Sequence, residues 1–197
     1  MLRAVDDLAG KSVRFTSPVQ VVKHKIDIVY VALDSKPLLV ESPRLSVKKS
    51  PAQDQSLSMT LSMKDNGFSR LLEQVDSLIK KDAQKHRQDY KIQSSVEHDE
   101  FRAKILVSAR GVETRFFLSN KKEAEPNIES KTVNKILQDA CVRLICRLDG
   151  YTIDSSKELV KPLWVVQQCL VSNQNSNPVG TKYCFLDDGD DLSYISE

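Results

Sequence analysis

Arginine and lysine recur at alternate positions of three strand-like segments. Arg102 and Lys104 lie in Phe101–Ala109, Arg115 lies in the segment after Gly111, and Arg143 and Arg147 lie in the segment before Asp149. A period of two puts them opposite Phe101, Ala103, Ile105 and Val107, or opposite Val142, Leu144, Cys146 and Leu148. Aromatic residues sit among them: Phe117 shares the face of Arg115, Tyr151 follows Arg147, and Trp164 opens a later apolar run. Arg44, Lys48 and Lys49 add cations in a segment, 44–56, expected to be a loop. Cations neutralise phosphates, and an aromatic face stacks on any base for about 1–3 kcal/mol. The combination points to sequence-tolerant contact with a single-stranded nucleic acid. The plain alternative is a solvated basic face, with Phe117 packed under a helix and Trp164 in the core.

Other chemistry has little to stand on. The sequence contains no GxxxxGK[ST] phosphate loop, no HExxH and no GxSxG. His24, His86 and His98 are scattered, and Cys141, Cys146, Cys169 and Cys184 form no CxxC pair. No metal, no cofactor and no catalytic residue is therefore expected, and the thiols read as reduced and structural. The acidic pairs Asp6-Asp7, Asp187-Asp188 and Asp190-Asp191 are read as solvated.

The elements that must position these groups read mostly as strands. A chain of 197 residues with 40% hydrophobic residues can build one core. Ile26–Leu33 is β-branched and aromatic, and Asp34–Pro37 reads as a turn. Leu57, Met59, Leu61 and Met63 alternate with Ser58, Thr60 and Ser62, which predicts a half-buried strand. Phe68, Leu71, Leu72, Val75, Leu78 and Ile79 form an apolar stripe, which predicts a helix over 67–83 capped by Asp65 or Asn66. The strands at 101–109 and 112–118 are expected to pair as a hairpin with a basic outer face. Val133, Ile136, Leu137 and Ala140 predict a short helix capped by Ser130. Asp149-Gly150 reads as a hairpin turn between 142–148 and a returning strand that leads to 164–171. Tyr183–Phe185 is expected to be the last ordered element. The fold class is mainly β with α additions: an antiparallel OB-like β-barrel with one long and one short helix. Residues 1–186 are expected to form one domain with loop insertions, and 187–197 a disordered acidic tail.

Charge separates these two parts. The chain has 29 Lys+Arg against 27 Asp+Glu, but the last eleven residues hold five acids and no base. Without them, 29 basic and 22 acidic residues leave +7 on 1–186. Such a body suits a polyanion. The tail either competes for the basic surface, docks replication or repair proteins, or merely solubilises. No apolar run reaches the roughly 18 residues of a membrane span, and Met1–Asp7 lacks a signal-peptide core. The expected setting is intracellular, without a membrane partner.

Several segments resemble a known family. Lys36-Pro37-Leu38-Leu39-Val40-Glu41-Ser42-Pro43-Arg44-Leu45, Leu57–Met63 followed by Phe68–Ile79, and the stretches 142–153 and 164–171 resemble single-stranded DNA-binding proteins of large DNA viruses. The resemblance covers 36–171 in patches. It implies an OB-type barrel with basic and aromatic residues in its groove. The acidic terminus is similar to the tails of bacterial and phage single-strand binding proteins, although Leu192–Glu197 stands where those have a terminal aromatic or Pro-Phe element. The resulting expectation is a single-stranded DNA-binding protein, with RNA a close variant. Its setting would be DNA replication, recombination or repair, in a host nucleus or cytoplasmic viral replication site. The alternative is a noncatalytic β-rich protein-interaction or structural viral protein.

Overall fold

The computed structural model describes residues 2–3, 8, 12–21, 26–49, 58–63, 66–108, 111–118, 130–138 and 140–172. In chain order the elements are β1 (Leu2–Arg3), β2 (Val13–Phe15), β3 (Val19–Val21), β4 (Ile26–Leu33), β5 (Leu38–Glu41), β6 (Leu45–Lys49), β7 (Ser58–Ser62) and α1 (Asn66–His86). There follow β8 (Lys91–Ile92), β9 (Val96–Glu97), β10 (Glu100–Ile105), β11 (Val107–Ser108), β12 (Gly111–Val112), β13 (Arg115–Phe117), α2 (Ser130–Leu137), β14 (Cys141–Asp154) and β15 (Leu159–Ser172). Several expected features lie outside the described residues: the turn at Arg110, the loop from 119, the caps Asp65 and the side chains of Asn66 and Ser130, Cys184, Tyr183–Phe185 and the acidic tail. No helix among the described residues is long and apolar enough to cross a membrane.

The chain is mainly β with two helices, and its sheet is mixed. Among the described residues thirteen strands join one sheet, and β11 pairs only with β12. Within that sheet five strands form a pairing path that returns to its start. β6 pairs antiparallel with β7, β7 antiparallel with β10, and β10 parallel with β15. β15 then pairs antiparallel with β14, and β14 antiparallel with β6. Alternation along these strands turns Leu45, Met59, Leu61, Phe101, Ala103, Val142, Leu144, Trp164 and Val166 inward, all buried. The stripe of α1 packs on the same core through Phe68, Leu71, Leu72, Val75 and Ile79. Phe101 sits edge-on between Phe68 and Trp164, at 5.6 and 5.9 Å between ring centroids. Each such pair contributes about 0.5–1.5 kcal/mol beyond the area it buries. The helix runs three residues past its expected end, to His86, where Lys85 and His86 face the negative end of its dipole.

Three expectations are corrected. Residues 45–49 are a strand: Leu45 is buried and Val47 packs on the core between exposed Ser46 and Lys48. Asp149-Gly150 is not a turn. β14 runs through it, and the chain reverses at 155–158 instead. Gly150 has φ +140°, and a Cβ there would lie 1.8 Å from the Val29 carbonyl oxygen. Glycine is needed because β4 crosses close at a register shift of the β14–β15 ladder, between Leu148 and Tyr151. Finally, β10 and β13 do not form a hairpin. Both run parallel to β15 on one edge, β10 at Val165–Val166 and β13 at Gln168–Leu170. The small β11–β12 hairpin leaves that edge between them, and Thr114 closes its base. Its hydroxyl accepts from the Leu106 N–H at 2.9 Å and donates to the Val166 carbonyl at 2.7 Å.

A flank extends the circuit. β4 pairs with β14 over Ile26–Tyr30, and β2 and β3 line the other edge of β4. On β4, Val29 is buried and Val31 and Leu33 pack on the core, so Tyr30 points outward.

Candidate nucleic-acid interface

The outer faces of β6 and β10 carry cations in register across β7. Ser58 and Thr60 of β7 are themselves buried, so β7 is covered on both faces and is not the half-buried strand expected. Lys49 pairs with Thr60, and Thr60 with Arg102, giving one row across three strands; Ser58 opposite Lys104 makes the next. Directly opposed residues in a ladder share a face. The rows continue onto β15, which presents Lys161 and Leu163, and onto Thr152 of β14 and Ile26 of β4. Together they line a groove of about 570 Å³. Its wall is Gln93–Ser95, Glu97 and His98. The wall turns sharply at His98-Asp99, where both residues have positive φ (52° and 57°), the conformation of a two-residue hairpin turn.

Electrostatically the groove is positive by a small margin. Arg102, Lys104 and Lys161 face Glu97 and Glu100. Lys48 is 3.3 Å from Glu100 and offsets that carboxylate. Lys49 and Arg44 are exposed nearby in sequence, Lys49 at the end of the first row. Lys104 and Lys161 form no ion pair among the described residues. A polyanion crossing the rows would meet cations at intervals of one or two strands, about 5–10 Å.

The groove wall is anchored to α1 by a chain of hydrogen bonds. Trp164 Nε1–H donates to Ser95 Oγ at 2.8 Å, and the Ser95 hydroxyl donates to Asp76 Oδ1 at 2.5 Å. The Ser95 N–H and the Ser94 hydroxyl donate to Asp76 Oδ2 at 2.7 and 3.1 Å. Burial pushes the Asp76 carboxyl above its ordinary range. The Ser95 and Ser94 hydrogen bonds oppose the shift, and Glu73 adds to it. A second tie runs from Tyr151, whose hydroxyl donates to buried Asp82 at 2.8 Å; Lys85 pairs with the same carboxylate at 2.7 Å. Burial, then the Asp82 hydrogen bond and charge, push the Tyr151 hydroxyl far upward. Burial also pushes up the thiols of Cys146 and Cys169.

The candidate residues divide accordingly. Arg102 and Lys104 line the groove, Lys48 and Lys49 border it, and Arg44 is exposed just before β6. The others do not join them. Phe117 is fully buried in a small cluster with Ile145, Leu39 and Leu170, and the Arg115 guanidinium lies 5.3 Å from its ring centroid. Arg143 is 2.7 Å from buried Glu41, and Arg147 is paired with Asp149. Tyr151 and Trp164 are core residues with bonded polar atoms. The expected aromatic platforms are thus all buried. Phe117 does face outward from its strand, but a second apolar cluster encloses it. Tyr151 turns inward because the irregularity at Asp149-Gly150 shifts the phase of β14.

Sequence reasoning missed Lys161, Leu163, Thr152 and Ile26 in the groove, and exposed Tyr30 beside it. For Tyr30 the signal was present: alternation with Val29, Val31 and Leu33 turns it outward. For Lys161 no local pattern marks the groove, because β10 and β15 pair across about 60 residues. Among the described residues no group of three His, Cys, Asp or Glu side chains is placed to hold a metal ion. No model of a known protein family matches this chain, and no curated protein sequence matches it.

Proposed function

We propose that β6, β7, β10, β14 and β15 close into an OB-type barrel, and that the chain uses it to bind single-stranded DNA without regard to sequence. The observation that carries this reading is the seat of the groove. In an OB-type barrel the face of the second and third strands holds the oligonucleotide, and the loops after the first and fourth strands form its rim. Here β7 and β10 are second and third in the circuit, and their outer face bears Thr60, Ser58, Arg102 and Lys104. The cations meet phosphates, while the partly exposed Thr152 hydroxyl suits sugar and phosphate oxygens. The resemblance to viral single-strand binding proteins extends the proposal to DNA replication, recombination or repair. In that setting the acidic terminus 187–197 lowers nonspecific occupancy of the groove or recruits partner proteins.

Fluorescence anisotropy tests the reading. A labelled random oligonucleotide is titrated with the full chain and with a chain ending at Leu186, against duplex DNA and RNA competitors. Salt-sensitive binding with a preference for single-stranded DNA is expected, tighter in the shortened chain. Absence of binding by both chains near physiological salt refutes the proposal in favour of a noncatalytic protein-interaction role.

A further inference from the structure

Resting on the groove reading above, we propose that the bound strand continues past β15 and β14 onto β4, where Tyr30 stacks a base. The burial of Phe117, Tyr151 and Trp164 leaves the groove cations without any of the expected stacking surfaces. Among the described residues Tyr30 is the aromatic with a largely exposed side chain, at 48%. Its position follows from the ladders. Thr152 lines the groove and pairs with Ile28 on β4; Ile26, two residues before, also lines it. Tyr30 is two residues beyond Ile28, so it shares that outer face about 7 Å further along the strand.

The surroundings leave the ring open and its base rigid. Tyr30 pairs with Gly150, which has no side chain to lie against the ring from β14. On the other edge Ile28 pairs with Val19, 52% exposed, so an apolar floor adjoins the ring. The Tyr30 backbone is held from both sides of its peptide. Its N–H donates to Thr16 Oγ1 at 3.1 Å, and its carbonyl accepts from the Thr16 N–H at 3.0 Å. A ring fixed at its root and free at its face loses little entropy on stacking, and stacking tolerates any base. From β6 to β4 the path crosses five strand spacings, roughly 24 Å. That length falls within the roughly 4–16 nucleotides held by one OB-type fold. The charge pattern fits a strand lying this way: cations on β6, β10 and β15 for its backbone, then an apolar end for an unstacked base.

The test compares Tyr30→Ala, Tyr30→Phe and the double variant Lys104→Ala/Lys161→Ala on labelled dT20. Tyr30→Ala is expected to weaken dT20 by at least about fivefold. Tyr30→Phe is expected to recover most of the loss, because the ring face does the stacking. Photocrosslinking of a bromouracil-substituted dT20 is expected to label the peptide that contains Tyr30. If Tyr30→Ala binds dT20 like the parent while the lysine variant is weakened, the extension onto β4 is wrong and the groove stands. If Tyr30→Phe loses as much as Tyr30→Ala, stacking is wrong. If the lysine variant also binds like the parent, the groove reading fails and takes this inference with it.

Discussion

Removing Lys104 and Lys161 should flatten the salt dependence of binding by a calculable amount. For single strands, the logarithm of the binding constant falls with the logarithm of salt at about 0.7 per phosphate neutralised. The strand's path passes three cations for which no ion pair is seen among the described residues, Lys49, Lys104 and Lys161, with Lys48 held on Glu100. The expected slope for the parent is then about −2.1, a loss of roughly 18-fold in affinity between 50 and 200 mM salt. Lys104→Ala/Lys161→Ala leaves one, a slope near −0.7 and a loss of only about threefold over the same range. Both lysines are exposed on strand surfaces, so far-UV circular dichroism should stay unchanged. The assay is an anisotropy titration of dT20 at five salt concentrations. A parent-like slope in the double variant would refute the placement of the strand on these rows, whatever happens to the affinity at any single salt. A steeper slope would refute the electrostatic reasoning altogether.

The buried elements make further predictions. Phe117→Ala should lower stability by about 3–5 kcal/mol in chemical denaturation while the folded protein keeps its affinity; a loss of affinity at unchanged stability would return Phe117 to the interface. Gly150→Ala places a Cβ against the Val29 carbonyl at positive φ and should cost at least about 2 kcal/mol. An unchanged melting temperature would show that β4 does not approach so closely. Because burial holds the Asp76 carboxyl above its ordinary 3.8, the unfolded chain gives up this proton first as pH rises. The group's favourable contribution is therefore full below that value and declines as pH climbs through the raised one. Urea midpoints from about pH 3 to 7 should fall for the parent relative to Asp76→Asn; a gap that stays constant or opens the other way contradicts the shift.

Local periodicity carried much of the architecture. Ile26–Leu33 was legible from its β-branched and aromatic residues, and Ser58–Ser62 and the stripe of α1 because each repeats its apolar residues with a single period. β6 was hidden because only Leu45 and Val47 are apolar between Pro43 and Pro51. The Asp149-Gly150 pair marks chain reversal in many hairpins, but here the same conformational freedom serves a close crossing of β4. Partner choice was beyond reach wherever it is non-local: nothing near Arg115 says that β13 joins β15 rather than β10. For the candidate interface, the alternation that put Arg102 and Lys104 on the outer face of β10 was sufficient. Solvent exposure of the aromatics was not legible, because a residue can point away from one core and into another, as Phe117 does.

The placement of β14 and β15 late in the chain has a consequence for synthesis. Val40 and Leu45 find their ladder partners in Cys146 and Val142, roughly 100 residues downstream. At about 5–20 residues per second, those edges wait roughly 5–20 s on the ribosome before their partners emerge. During that interval β5, β6 and β7 present hydrogen-bonding edges and apolar faces that invite pairing between nascent chains. The β14–β15 hairpin, closed by a short local turn, forms rapidly once made and then acts as the template on which the waiting strands assemble. Premature stops before Cys141 should therefore yield aggregating fragments, whereas a stop after Ser172 spares every ladder among the described residues.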